Sequence, residues 1–445
     1  MVLAMVLMSS TAFAQLTSSY FMPGSTFRSE LNPAFRPSRG YISLPGVGGA
    51  SAAFMSNSLT LDNLFYPVDG KLVPFLNPNV EAQPFLASLA EENNLNALAN
   101  VNVFALGTYI GRGFLTLDFD IKTDVQANLP YELFDFLKNS QSGHSYGLAG
   151  TSLSAAVNAE IALGYSRELF KGFTLGVRGK YIGGVGYAKM NFQQLDLALN
   201  EDAWGISSDG VAEVAMSGMR IPTDADGVWD FDNIEFGDPQ HLAGTGAAID
   251  LGVTYDLGFA RLSASVLNLG FMKWDEQYVQ RGVASGTYTY TGFDVSEGTT
   301  SNPLEGADFD DFVKFRPTAA EGLSPRLTSN VVLGAEVPLI TNLLSVGAIY
   351  NITMRELYNS SQLTLAATLT PTRWLSASAT YSSLGAQAGS SENFGLALNF
   401  HPSWINLFVG TDFMIREVTP QFVPIHQNNL NLYFGVSMPL ARSKY

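Results

Sequence analysis

The sequence contains no cysteine, which excludes disulfide bonds and thiolate metal sites. Charged residues make up only 14% of the chain and hydrophobic residues 46%, a high share for a water-soluble protein of such low charge. Even so, no run of about 18 apolar residues occurs, so no transmembrane helix is available. The 40 acidic residues outnumber the 24 basic ones, and the net charge of −16 argues against nucleic acid as a partner. These absences together are typical of a barrel of amphipathic membrane-spanning strands.

Polar and apolar residues alternate over many segments of the chain. Since successive side chains of a β-strand point to opposite faces, each such segment has one apolar and one polar face. The last segment places these apolar residues on one face: Leu430, Leu432, Phe434, Val436, Met438 and Leu440. Its other face carries Asn429, Asn431, Tyr433, Gly435 and Ser437. A soluble sandwich would bury the apolar faces in a core, whereas a membrane barrel turns them toward lipid.

Short and long connections alternate between these segments. The short ones contain turn-forming or charged residues and lie at 111–113, 169–172, 256–258, 338–341, 370–373 and 401–403. The long, polar ones lie at 57–99, 129–150, 190–243, 271–324, 357–361, 383–392 and 418–428. One strand on each side of every connection predicts an all-β, transmembrane antiparallel β-barrel of about 14 strands, with sixteen as the alternative count. This pattern predicts a bacterial outer-membrane protein with both termini on the periplasmic, short-turn side.

Aromatic residues directly follow five of the six short turns: Phe114, Phe173, Phe259, Trp374 and Trp404. Aromatic rings at one common depth form the girdle of a membrane barrel at the lipid–water interface. A soluble sandwich has no reason to place aromatic residues at the same end of every second strand. The pattern therefore favours the membrane barrel.

Three regions are predicted along the chain. Residues 1–14 form an apolar stretch that ends in Ala12-Phe13-Ala14 and predict an export signal peptide, with a buried N-terminal helix as the alternative. Residues 15–40 do not alternate and precede the first strand. Residues 41–445 are predicted to form the barrel with long extracellular loops.

The non-alternating stretch contains the hatch candidates Asn32, Pro33, Ala34, Phe35, Arg36 and Pro37. An Asn-Pro-Ala motif ahead of a fourteen-strand barrel resembles the FadL family of long-chain fatty-acid transporters, in which this motif lies in an N-terminal hatch that plugs the lumen. The architecture also resembles PorV-type barrels of the type IX secretion system. The run from Ala264 to Gly270 is similar to the Asn-Leu-Gly strand ends of Bacteroidota outer-membrane barrels of uncharacterised function.

The resemblance implies that residues 15–40 plug the lumen as an N-terminal hatch. The residues agree, because Asn-Pro favours a turn and an open fourteen-strand barrel would leave an aqueous channel. The alternative is an extended leader outside the barrel. No ligand-binding residue of the FadL family is matched in this sequence.

Two apolar, helix-like segments lie in the predicted outer loops. They supply the candidates for capture of a hydrophobic ligand: Phe85, Leu86, Leu89, Leu133, Phe134, Phe136 and Leu137. The alternative is that the two segments pack on each other and close the mouth of the barrel.

Charged residues of both signs lie on the polar faces of the strands. The lumenal candidates are Asp118, Asp120, Lys122, Arg178 and Lys180, with Asp124, Glu160 and Asp250 beside them. Ion pairs that brace the barrel or hold the hatch are expected here, with a substrate path as the alternative. The acidic clusters 224–227 and 308–311 lack the spacing of a calcium-binding loop, so no metal site and no cofactor are predicted.

No enzyme is predicted, because the histidines at 144, 241, 401 and 426 are scattered and no catalytic motif occurs. Two functions remain. The first is passive transport of hydrophobic small molecules across the outer membrane. The second is a PorV-like scaffold or shuttle for secreted or surface proteins. The expected partners are outer-membrane lipid and lipopolysaccharide, a hydrophobic small-molecule ligand, and, for the second function, a secretion system.

Overall fold

The computed structural model describes residues 17–43, 48–68, 70–200, 203–290, 313–385, 392–420, 424–425 and 427–442. The predicted signal peptide, residues 15–16 of the predicted hatch, the acidic cluster 308–311 and His426 lie outside the described residues. No helix among those described is both long and apolar enough to cross a membrane.

The described residues form a closed, antiparallel barrel of 14 strands, which confirms the predicted fold. Its strands, in chain order, are β1 (Arg39–Ser43 and Gly49–Ser56), β2 (Glu92–Ile110), β3 (Gly113–Pro130), β4 (Ser152–Phe170), β5 (Phe173–Leu199), β6 (Gly244–Asp256), β7 (Arg261–Trp274), β8 (Ser329–Ile340), β9 (Leu344–Met354), β10 (Asn359–Thr372), β11 (Leu375–Leu384), β12 (Glu392–Phe400), β13 (Asn406–Thr411) and β14 (Asn429–Arg442).

The barrel closes where its first and last strands pair. Arg39 lies opposite Arg442 and Met55 opposite Asn429, so both segments of β1 pair with β14. Both segments also pair with β2. Because Tyr41 lies opposite Gly107, near the end of β2, the chain enters the barrel at the rim of the short turns. A closed sheet leaves no unpaired edge, which is a requirement for a barrel in lipid.

Further strands extend the sheet on the side of the long connections. The upper half of β5 pairs with Trp204–Met216, which pairs with Val279–Tyr290, which in turn pairs with Arg316–Thr318. The predicted loop 190–243 is therefore wrong at its start, because β5 continues to Leu199. Other short strands are Phe65–Val68, Lys71–Pro74, Ser145–Gly147, Met219–Arg220 and Glu235–Phe236.

The few helices are short. They are α1 (Arg28–Leu31), α2 (Leu61–Leu64), α3 (Ala82–Ala87) and α4 (Tyr131–Asn139), with 3-10 turns at Thr17–Ser19 and Glu276–Tyr278. A capping box at Thr60 and Asn63 fixes the start of α2, since each side chain bonds the other's backbone N–H.

The two faces of the strands differ as the alternation predicts. On β14, Leu432 is 55% exposed on the outside of the barrel, whereas the neighbouring Tyr433 is 1% exposed on the inside. Exposed apolar side chains recur on the other strands, among them Leu163, Leu251, Leu333, Leu365 and Leu396. An apolar outer surface of this extent suits a bilayer rather than water.

The predicted aromatic girdle is correct only in part. Phe259, Trp374 and Trp404 are exposed at the short-turn rim, and Phe173 stacks on the exposed Phe170. The expectation for Phe114 is wrong, because this ring is buried inside the barrel against Tyr41 and Tyr109. The short turn places Gly113 first in β3, and this offset of one residue turns Phe114 inward on the face of Asp118.

Candidate lumenal binding site

The N-terminal segment (residues 17–38) lies against the inner wall of the barrel. The backbone N–H groups of Thr17 and Ser18 donate to the Asp412 carboxylate, at 3.2 and 2.8 Å. The Asn406 side-chain amide donates to the Gly24 carbonyl at 2.9 Å. These bonds hold the start of the segment to the wall at β13 and the residue that follows it.

The predicted motif residue Asn32 is fully buried between β6 and β7. Its Nδ2 donates to the carbonyls of Val253 and Ala264, at 3.3 and 3.2 Å, and its Oδ1 accepts from the Ala34 N–H at 2.9 Å. The hydrogen bond to Ala34 turns the chain, and the two bonds from Nδ2 tie it to the wall.

Glycines in the wall make room for this motif. A Cβ added at Gly252 would lie 2.7 Å from Pro33 Cδ and would also meet Asn32 Oδ1. A Cβ added at Gly176 of β5 would run into the backbone of Pro33 and Ala34. The motif thus sits closer to the sheet than any side chain at these two positions would allow.

Phe35, Arg36 and Pro37 make the next contacts of the segment, and those of Arg36 and Pro37 lie near the short-turn rim. The Phe35 ring packs against the Arg28 guanidinium, with 4.1 Å between the Arg28 Cζ and the ring centre. Arg36 pairs with Glu168 at 3.5 Å, and the Pro37 carbonyl accepts from the Tyr109 hydroxyl at 2.6 Å. The pair of Arg36 with Glu168 is exposed and contributes little to stability.

The predicted lumenal charges form one cluster on β3 to β6. Arg178 pairs with Asp118 at 2.9 Å and lies 3.8 Å from Asp120. Lys180 pairs with Asp250 at 2.8 Å, and Lys122 pairs with Glu160. The side chains of these ions are largely buried, which is tolerable only because each has an opposite charge beside it.

A cavity of about 180 Å³ lies above the N-terminal segment. Glu30 and Leu31 of α1 line its lower end, and Arg326 and Glu356 from the long-connection side line its upper end. Apolar side chains form part of its wall, including Leu98, Ile182, Leu267, Met272, Trp274 and Leu327.

Several buried polar atoms on the cavity wall have no hydrogen-bond partner among the described residues. They are the Nε1 of Trp274, the Nε of Arg355, and the Oδ1 atoms of Asn158 and Asn351. The residues that carry these atoms give the wall polar side chains beside its apolar ones.

The comparisons with known proteins assign a family. The family of unknown function DUF5723 matches residues 33–412. The chain belongs to this family. No curated protein matches the sequence.

Several solved barrels are similar to this DUF5723 chain. A toluene transporter of Ralstonia pickettii, TbuX, is 8% identical, with 94% of each chain covered and a TM-score of 0.44. The P. putida toluene transporter TodX is 8% identical, with 96% of this chain and 94% of that chain covered and a TM-score of 0.43. A Pseudomonas aeruginosa FadL homologue is 12% identical, with 95% of each chain covered and a TM-score of 0.45.

The loop candidates for ligand capture do not line the cavity of the DUF5723 barrel. Phe85, Leu86 and Phe134 pack with each other, with the Phe85 and Phe134 ring centres 5.8 Å apart, and Leu89 packs beside them. The other face of α4 is covered by a different cluster, in which Phe136 contacts Tyr146 and Trp204. Leu133 and Leu137 pack against this cluster. These contacts are those of the packing alternative, and capture by these residues stays a prediction.

A polar network at the upper end of the cavity was missed from the sequence. The Glu356 carboxylate accepts from Ser154 at 3.0 Å, from Tyr187 at 3.1 Å and from Lys189 Nζ at 2.7 Å. Glu356 lies in a short polar connection that shows no pattern, so only the barrel closure brings it opposite β4 and β5.

The acidic cluster at 224–227 behaves as a turn. Asp224 Oδ1 accepts from the N–H groups of Asp226 and Val228, both at 2.8 Å. Among the described residues, no group of three or more His, Asp or Glu side chains is placed to hold a metal ion.

Proposed function

We propose that this protein is an outer-membrane barrel for the passive passage of hydrophobic small molecules. The N-terminal segment acts as the plug, both termini face the periplasm, and outer-membrane lipid and lipopolysaccharide surround the apolar outer face. A ligand enters the cavity from the long-connection side and leaves when the plug moves.

One observation carries this proposal: a cavity lies directly on the segment that occupies the lumen. Its lower end is Glu30 and Leu31 of the plug itself, so movement of the plug would open the cavity toward the short-turn rim. Apolar walls with a few polar groups are typical of small-molecule sites.

The cavity wall also narrows the chemistry of the ligand. Ile182, Met272 and Trp274 offer an apolar surface, while Asn158, Asn351 and Arg355 add polar side chains to the same wall. A molecule with an apolar body and several hydrogen-bonding groups fits both features. A bare hydrocarbon would leave the polar atoms unpaired.

Deletion of residues 17–38 tests the plug. The barrel begins at Arg39 and closes without the deleted residues, so the shortened protein is expected to fold and to show the heat-dependent gel mobility of a barrel. In planar bilayers it should conduct ions steadily, because a fourteen-strand barrel without a filling leaves an aqueous channel, while the full chain stays largely closed.

Mass spectrometry of molecules that co-purify from native membranes tests the cargo. An amphipathic small molecule, lost when Trp274 is replaced by alanine, supports transport. Unchanged conductance after the deletion, together with co-purified secretion components and no small molecule, would overturn the proposal in favour of the scaffold.

A further inference from the structure

Glu30 brings a carboxylate of the N-terminal segment to the charged part of the wall. It lies on α1, two residues before Asn32, and lines the lower end of the cavity together with Asp120, Lys122 and Arg178. With Ser29 it also lines a smaller pocket beside Asp118 and Tyr41. The tie of Asn32 to β6 and β7 fixes this position.

Among the described residues, no cation forms an ion pair with Glu30. The buried charge cluster on β3 to β6 holds four carboxylates, Asp118, Asp120, Glu160 and Asp250, against three cations, Lys122, Arg178 and Lys180. Each cation already pairs with a wall carboxylate. From β1 the neutral phenol of Tyr41 completes the surroundings. An ionised Glu30 would therefore be a fifth carboxylate against three cations.

We propose that Glu30 is a proton-dependent latch that holds the N-terminal segment in the lumen. This inference rests on the proposed function of that segment as a plug. A protonated Glu30 enters the cluster as a neutral group, whereas an ionised one is repelled by Asp118 and Asp120 and gains water when it leaves.

Burial, followed by the charge of Asp120, raises the pKa of the Glu30 carboxyl to about 8 in the docked segment. The ordinary carboxyl pKa of glutamate is about 4.3, so the docked state holds a proton that the undocked state releases between these values. The contribution of Glu30 to the free energy of docking is therefore fully present below the ordinary pKa. It decreases as pH rises and is lost once pH passes the pKa of the docked state. Within this window the ratio of undocked to docked segment rises by up to about tenfold per pH unit.

Conductance in planar bilayers between pH 5.5 and 8.5 tests the latch. The full chain should open more often as pH rises, and Glu30→Gln should stay closed over the whole range because glutamine cannot ionise. Glu213→Gln is the matched control: it changes a carboxyl outside the cavity that is paired with Arg281, and it should keep the pH response.

The outcomes separate the latch from the plug. If deletion of residues 17–38 opens the barrel but Glu30→Gln keeps the pH response of the full chain, the latch is overturned and the plug stands. If the deletion leaves conductance unchanged, the plug itself fails. Heat-dependent gel mobility of each variant shows that the barrel is folded.

Discussion

Single residues decide how closely the N-terminal segment approaches the wall. Gly176 faces the backbone of Pro33, and a backbone cannot swing aside as the end of a flexible side chain can. Gly252 faces Asn32, whose amide already makes three hydrogen bonds. The lack of a side chain at Gly176 and Gly252 is therefore as necessary for this contact as the Asn-Pro-Ala motif itself.

Gly176→Ala should displace the segment from the wall. Overpacking of a close contact costs about 1–3 kcal/mol, and here the added methyl meets the carbonyl of Pro33. The expected result is a more frequently open channel and faster protease cleavage near the N-terminus of the folded barrel.

Gly179→Ala is the control for this prediction. It lies on the same strand, and a Cβ at this position would meet nothing within 4 Å. Equal opening by both variants would show that the wall contact at Gly176 does not hold the segment.

At the scale of one strand, β14 shows how alternation sets the two faces. Phe434 points outward, while Asn431 on the inner face accepts from Thr411 Oγ1 at 2.9 Å and from the N–H of Asp412 at 2.6 Å. An inner polar residue is therefore not a neutral position for substitution, because it can belong to the network that holds the N-terminal segment.

Phe434→Arg should strongly impair assembly. An arginine on the lipid face costs about 2–4 kcal/mol near the middle of the bilayer and about 0–1 kcal/mol near its surface. Leu440→Arg changes the same face of the same strand near its end and should be mild. Denaturant titration of both variants in lipid vesicles measures the difference; similar destabilisation would mean that β14 is placed at the wrong depth.

At the scale of the whole molecule, the buried charges join neighbouring strands of the wall. Lys180 on β5 pairs with Asp250 on β6, and Asp250 also accepts from the Asn268 N–H on β7 at 2.7 Å. Three strands of the wall are thus joined beneath the cavity by one carboxylate.

Lys180→Met should lower the thermal stability of the barrel sharply. Removing one partner of a buried pair leaves an uncompensated charge and costs about 3–5 kcal/mol. The double variant Lys180→Met with Asp250→Asn removes both charges, so its melting temperature in detergent should recover most of the loss. A double variant as unstable as the single one would show that the charge of Asp250 is not the cause.

The sequence alone determined the barrel and a count of about 14 strands, with sixteen left as the alternative. Alternation with a period of two and the residues of tight turns are local properties of the sequence. They can be recognised without knowing which strands pair to satisfy the backbone hydrogen bonds. The same locality explains the error at Phe114, since the pattern shows where a turn lies but not to within one residue. The motif at Asn32 also marked the segment that enters the lumen.

Only the tertiary structure decided which groups meet inside the barrel. Asn32 bonds Ala264, 232 residues away, and Ser154 bonds Glu356, 202 residues away. Closure of the sheet sets these distances, and no local pattern encodes them. The glycines opposite Pro33, the place of Glu30 among the wall charges and the packing of α3 on α4 follow from that closure, because a side chain's partners depend on which strands come to lie beside it.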